Sequence, residues 1–235
     1  SKLETVIRIL EELVKVHEEL LRIVKKILEE LVRVHRRVSE ENLRLWKELL
    51  DALREDKGRE DERVERIIEK AERLLREVAK RHEESIREID RLLEEIARRA
   101  EESLKKIRDL LRKVKELAER GDSEKSIEDL VRTLIELHRR SVEEIRRLLE
   151  ELVRIHRESI KEVEKLNEDE SRELRKAGIS EELLKRVEDV NRESRKVLEE
   201  SLRRVEEALE KIERALRKSE EDIRRLMEDI KRVLK

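Results

Sequence analysis

The sequence predicts an all-α protein: an elongated, nearly straight antiparallel four-helix bundle with helices of roughly 50–58 residues. Three observations support this fold class. Charged residues make up 53% of the 235 residues, and most apolar residues are Leu, Ile and Val at helical spacing. The chain contains no Phe or Tyr and shows neither the alternation nor the hairpin turns of strands, so β-structure is not expected. Its three Gly are widely separated, which leaves long uninterrupted stretches for helices.

The glycines mark three predicted joints, at Gly58, Gly121 and Gly178. A Gly just past a helix end can take the left-handed conformation, and a following Asp or Ser can cap the next helix. Joints this short make neighbouring helices antiparallel. We therefore expect one four-helix domain over 1–235, built from a hairpin at 1–120 and a hairpin at 123–235. The predicted helices lie near residues 2–55, 61–120, 123–177 and 180–234.

An internal repeat supports straight helices. Residues 9–17 read ILEELVKVH and residues 27–35 read ILEELVRVH, an offset of 18. The third helix repeats its own pattern at 134–142 and 152–160 with the same offset. Eighteen residues make five whole turns, so this repeat does not impose the left-handed supercoil of a heptad.

Polar residues interrupt the apolar faces at the same interval. On a helical wheel, His17 and His35 fall in the middle of the first helix's apolar arc. His138 and His156 occupy the same place on the third helix. Serines stand where core residues are expected on the other two helices; they are Ser85, Ser103, Ser201 and Ser219.

Antiparallel pairing brings these residues to common levels. Pairs such as His138 with Ser219 and His156 with Ser201 have their midpoint at the joint near Gly178, and the other pairs centre on the other joints. We therefore expect two buried polar layers. The first contains His17, Ser103, His138, Ser141 and Ser219. The second contains His35, Ser85, His156, Ser159 and Ser201, with His82 as a candidate member.

A third polar zone is predicted beyond the second layer. Asn167 and Asn191 are placed at one level by the same pairing rule, and Trp46 should lie near Asn167. A buried indole N–H needs an acceptor. Asn42, Ser171 and Ser194 are close by in the predicted arrangement.

Histidine and serine can satisfy each other without any charge, because neutral imidazole has one donor and one acceptor and a hydroxyl has both. An unpaired buried polar group costs roughly 1–3 kcal/mol. Such layers therefore penalise every register in which a histidine loses its serine.

The idealised Glu/Arg/Lys surface, the Gly121–Asp122–Ser123 joint and the repeated His/Ser layers resemble de novo designed helical bundles with modular buried hydrogen-bond networks. The resemblance extends to single-chain versions of designed hairpin pairs. It implies a structural role, and the His-containing layers resemble those of designed pH-responsive assemblies. Here the layers use His with Ser instead of repeated Asn or Gln.

The functional expectation is a non-enzymatic scaffold with no cofactor, metal or small-molecule substrate. Ser141 follows His138 by three residues and Ser159 follows His156 by three, which suggests a nucleophile with a base, but no oxyanion hole is visible. A net charge of -2 gives no case for nucleic acid, and no apolar run is long enough for a membrane span. We expect a soluble protein whose compartment the sequence does not reveal.

Three alternatives stay open. The wider apolar arc of the first helix, with Val16, Ile23 and Val34 at its edge, would suit a designed protein partner or self-association as an oligomer, filament subunit or cage. A switch in which one helix detaches to reveal a groove belongs to the same alternative. The facing His17/His138 and His35/His156 pairs would suit bis-His haem binding, although the neighbouring leucines leave little space. Zinc binding by these histidines lacks an inward-facing carboxylate.

Overall fold

The computed structural model describes residues 2–56, 62–121, 124–176 and 178–234. It contains four α-helices and no strand within those ranges, which confirms the predicted fold class. Helix α1 spans Lys2–Asp56, α2 spans Glu62–Glu119, α3 spans Glu124–Arg175 and α4 spans Glu181–Leu234. The predicted ends differ from these by no more than two residues.

Two of the predicted glycine joints have the backbone that the sequence indicates. Gly121 and Gly178 have φ of 71° and 64°, the left-handed region that a Cβ disfavours. At the start of α4, the Leu183 amide donates to the Ser180 hydroxyl, as an N-cap does. Gly58, Asp122 and Ser123 lie outside the described residues.

The chain divides into two compact units, and each takes part of all four helices. Unit 1 comprises 1–29, 92–151 and 208–235, and unit 2 comprises 30–91 and 152–207. The units therefore do not correspond to the two sequence hairpins.

In unit 1, ion pairs and hydrogen bonds show how the helices run. Glu11 and Glu18 of α1 pair with Lys115 and Arg108 of α2, so rising numbers on one helix meet falling numbers on the other. Pairs within unit 2 follow the same rule, because Arg36 and Arg54 bind Asp90 and Glu72. Helices α1 and α2 are therefore antiparallel in each unit, and the helix packing is that of an antiparallel bundle.

Each unit buries aliphatic clusters beside its polar residues. In unit 1 the cluster is built from all four helices and includes Leu10, Ile107, Leu134 and Leu226. Unit 2 has one cluster around Trp46, Leu49 and Leu174 and a smaller one of Val78, Ile160, Val163 and Leu198. Apolar burial of this kind stabilises the helices by about 25 cal/mol per Å².

The outer surface of the described residues carries no large exposed hydrophobic side chain. Val16 packs against the core cluster of unit 1, and Ile23 and Val34 are half-buried. The edge of the α1 apolar arc is therefore largely covered within the chain itself. None of the helices over the described residues is sufficiently long and apolar to span a bilayer.

Candidate functional site: buried histidine and asparagine networks

The first His layer lies in unit 1 and draws on all four helices. His17 of α1 and His138 of α3 face each other with their Nδ1 atoms 2.5 Å apart and ring centroids 4.6 Å apart. His17 Nε2 is 3.2 Å from Ser103 Oγ of α2, and His138 Nε2 is 3.5 Å from Ser219 Oγ of α4. Ser141 Oγ donates to Ser103 Oγ at 2.9 Å.

The position of each hydrogen in this layer follows from one serine. Ser103 donates its hydroxyl hydrogen to the Ala100 carbonyl at 3.0 Å, so it must accept from His17 Nε2–H. His17 Nδ1 is then an acceptor and receives the His138 Nδ1–H. His138 Nε2 in turn accepts the Ser219 hydroxyl hydrogen. The result is one directed chain of hydrogen bonds from α4 through α3 and α1 to α2.

The layer is dry at its centre and reaches solvent at one side. His17 is 0% exposed and His138 is 2% exposed. Ser103 is half-buried, and with Ser141 it lines a groove of about 680 Å³ between α2 and α3. Water can therefore approach Ser103 and Ser141 more readily than it can approach the two imidazoles.

The second His layer lies in unit 2 and is built on the same plan. His35 Nε2 and His156 Nε2 are each 3.0 Å from a serine hydroxyl, those of Ser85 and Ser201. The two rings have centroids 4.5 Å apart. Ser85 donates its hydrogen to the His82 carbonyl, so His35 carries its hydrogen on Nε2.

This second layer is less completely satisfied than the first. The Nδ1 atoms of His35 and His156 are buried and have no hydrogen-bond partner. Ser159, the counterpart of Ser141, is fully buried and its hydroxyl is also unpartnered. The structure thus brings the five predicted residues into one region but bonds only two His–Ser pairs.

The asparagine network occupies the predicted third zone of unit 2. Asn42 donates to His82 Nε2 at 3.1 Å and accepts from Asn167 Nδ2 at 3.1 Å. Ser194 donates to Asn42 Oδ1 and accepts from Asn167 at 2.8 Å. Trp46 Nε1 donates to Ser194 at 3.4 Å, which satisfies its buried indole.

Two residues take other roles than the sequence suggested. His82 contributes its carbonyl to Ser85 of the second layer, but its ring belongs to the asparagine network. Asn191 is half-buried and none of the described hydrogen bonds reaches its side chain. Asn167 bonds Asn42 and Ser194 instead of Asn191.

Sequence reasoning missed Glu170, a buried carboxyl group on the inner face of α3 that is not grouped with the histidines as a metal site. Glu170 is 0% exposed, and both its carboxyl oxygens lack partners. It follows Asn167 by three residues and precedes Leu174 by four, so helical spacing alone could have placed it on the inner face. Burial raises its pKa to about 8, so it is protonated in the neutral range.

Burial lowers the pKa of every histidine. It brings the pKa of His17 and His35 to about 4, with the Glu18 carboxylate opposing the shift at His17. Burial lowers the pKa of His138 to about 3, and the nearby His17 and Arg139 add to this shift by charge repulsion. Burial and the nearby His35 lower the pKa of His82 and His156 to about 3. All five imidazoles are therefore neutral at pH 7.

The geometry limits the chemistry of these networks. The imidazoles of each facing pair touch directly, so a haem between them would require the rings to separate. Across the described ranges, no group of three or more His, Asp or Glu side chains is placed to hold a metal ion.

Comparison of the chain with protein families, curated proteins and solved structures found no match.

Proposed function

We propose that this chain is a de novo designed, non-enzymatic structural scaffold whose buried His/Ser layers set helix pairing and make the fold acid-sensitive. The observation that carries the proposal is the directed hydrogen-bond chain from Ser219 through His138 and His17 to Ser103. It joins one residue from each helix, and each of its donors has one acceptor.

Helix pairing is specified because a shift of a single turn breaks this hydrogen-bond chain. Moving α1 by one turn relative to α3 would remove the His17–His138 bond and leave Nδ1 groups unpaired in a dry core. Each buried group left unpaired costs about 1–3 kcal/mol. The exact repetition of the layer plan after 18 residues, the ideal helix spacing and the alternating surface charges support a designed origin.

Acid sensitivity follows from where the imidazole pKa values lie. In the unfolded chain each imidazole binds a proton near pH 6.5, whereas the folded protein resists protonation down to about pH 3 to 4. The folded pKa is depressed, so stability is full above pH 6.5 and is lost as pH falls through this window.

The charges that face these imidazoles do not reverse this sign. Glu18 on α1 and Arg139 on α3 act in opposite directions on the first layer. From α2 and α4 the facing groups are the neutral hydroxyls of Ser103 and Ser219. Proton uptake by the layer therefore brings charge into a region without a carboxylate counter-ion in hydrogen-bond contact.

The test compares the protein with a variant that has an apolar first layer: H17L, H138L, S103A, S141A and S219A. Urea unfolding at pH 7 and pH 5 gives the loss of stability in acid for each protein. Between pH 7 and pH 5 the free energy of unfolding should fall markedly less for the variant than for the parent, because two of the five titrating imidazoles are gone. Equal losses would contradict acid sensitivity through this layer.

Pairing specificity needs a separate readout. Hydrogen exchange or NMR of the apolar variant should show more than one packing arrangement or less protection of the core amides, even if its unfolding free energy rises. One sharp, uniquely ordered spectrum identical in quality to that of the parent would argue that the layer does not specify pairing.

A further inference from the structure

Unit 1 contains an apolar cleft between α1 and α2 that the polar networks do not use. It has a volume of about 230 Å³. Val24, Leu28 and Ile96 and the α3 residue Ile145 are buried along it. Ala97 and Ala100 of α2 are half-buried beside it, and their small side chains leave the space between the helices unfilled.

The 18-residue repeat relates each residue of this cleft to a counterpart in unit 2, so the two regions can be compared. The counterpart of Ala100 is His82, and the counterpart of Leu28 is Trp46. Both are buried, at 2% and 0% exposure. Where unit 2 places an imidazole and an indole between its helices, unit 1 therefore has a methyl group and an isobutyl group. Protein interiors are close-packed, and at the cleft this packing is incomplete.

The lining of the cleft favours a neutral guest. None of the buried, unpartnered polar atoms of the described residues belongs to its lining. The Ala100 carbonyl is already bonded by Ser103. A charged or strongly polar molecule would lose its hydration there without a hydrogen bond in return.

The size favours aromatic rings. An apolar cavity of about 150 Å³ in a protein core accepts benzene, so 230 Å³ has room for two fused rings. The charged side chains in the lining, Arg22, Lys25 and Glu101, are exposed. The cationic groups can contact the face of a ring at the solvent side of the cleft.

We propose that this cleft binds small neutral aromatic molecules of one or two fused rings, with Ala97 and Ala100 providing the space and Ile145 the inner contact. The site is independent of the scaffold role proposed above, since none of the histidines lines it. Indole is the probe of choice, because it is soluble and matches the side chain that fills the counterpart region in unit 2.

The experiment is an indole titration of the full chain at pH 7, followed by NMR of labelled Ile, Leu and Val methyl groups. Saturable shifts are expected at Ile96 and Ile145, with a Kd on the order of 1 mM for a nine-atom ligand. A100L fills the cleft and should weaken binding at least tenfold. A97V, a smaller change, should weaken it to a lesser degree and guards against misfolding of A100L.

The matched control is A79L, because Ala79 is the counterpart of Ala97 in unit 2 and lies outside the cleft. It should bind indole as the parent does. The proposal would be overturned if the parent showed no saturable shifts or if A79L lost indole binding. It would also be overturned if A100L and A97V both bound indole as tightly as the parent does.

Discussion

The Nδ1 atoms of His17 and His138 lie 2.5 Å apart in the interior of unit 1. A single hydrogen between them is compatible with this contact, because two Nδ1–H groups would repel each other. Since Ser103 and Ser219 occupy the two Nε2 atoms, the pair can take up a proton only by rearranging a serine. The pair therefore acts as one titrating unit, with macroscopic pKa values that belong to both rings.

The free energy of unfolding should be greatest near about pH 7 and fall on the acid side, because five imidazoles titrate in the unfolded chain. Each protonated imidazole contributes a slope of about 1.4 kcal/mol per pH unit. Urea midpoints at intervals from pH 4 to pH 8 measure the profile. A midpoint that stays constant from pH 7 to pH 5 would contradict the account.

The two facing histidines should be strongly coupled. H17L or H138L alone leaves the other imidazole with an unpaired buried nitrogen, which costs about 1–3 kcal/mol beyond the change in packing. H17L/H138L removes both polar rings, so its destabilisation should be smaller than the sum of the two single changes. Chemical unfolding of the four proteins at pH 7 gives the coupling energy, and strict additivity would show that the contact has no energetic role.

Serines in the two layers should respond differently to removal of the hydroxyl. S103A deprives both His17 and Ser141 of their acceptor and should cost about 1–3 kcal/mol. S159A removes a hydroxyl that has no partner, so it should be neutral or stabilising. Thermal and urea unfolding at pH 7 compare the two variants, and equal destabilisation would mean that the observed bonds do not decide stability.

Glu170 should weaken the fold on the alkaline side. Its folded pKa is about 8 against 4.5 in the unfolded chain, so stability is lost as pH rises between these values and is constant above them. Raising pH from 7 to 9 should cost about 1.4 kcal/mol. E170Q should remove this loss, which unfolding curves at the two pH values measure.

The control for Glu170 is E168Q, because Glu168 is exposed and pairs with Arg195 at the surface. It should keep the alkaline loss of the parent. The same loss in E170Q as in the parent would instead mean that another group is responsible.

The sequence predicted the four helices and the first His layer well. Both depend on the spacing of residues along each helix and on joints that lie midway between the paired residues. The 18-residue repeat fixes level along a helix, and Gly121 and Gly178 fix the turns. It was less informative where rotation of a helix decides contact: Asn191 and Ser194 differ by less than one turn, yet Ser194 is the residue that bonds Asn167. Glu170 was missed because glutamate in a chain rich in surface charge is ordinarily exposed.

The most direct test of the account is long-range ¹H–¹⁵N NMR of the five imidazoles from pH 7 to pH 4. The hydrogen bonds of the three networks predict that His17 and His35 carry their hydrogen on Nε2 and that His138 and His82 carry it on Nδ1. They also predict that none of the five imidazoles titrates above pH 5. Imidazoles that exchange freely between tautomers and titrate near pH 6.5 would contradict the buried, neutral network on which the proposed function depends.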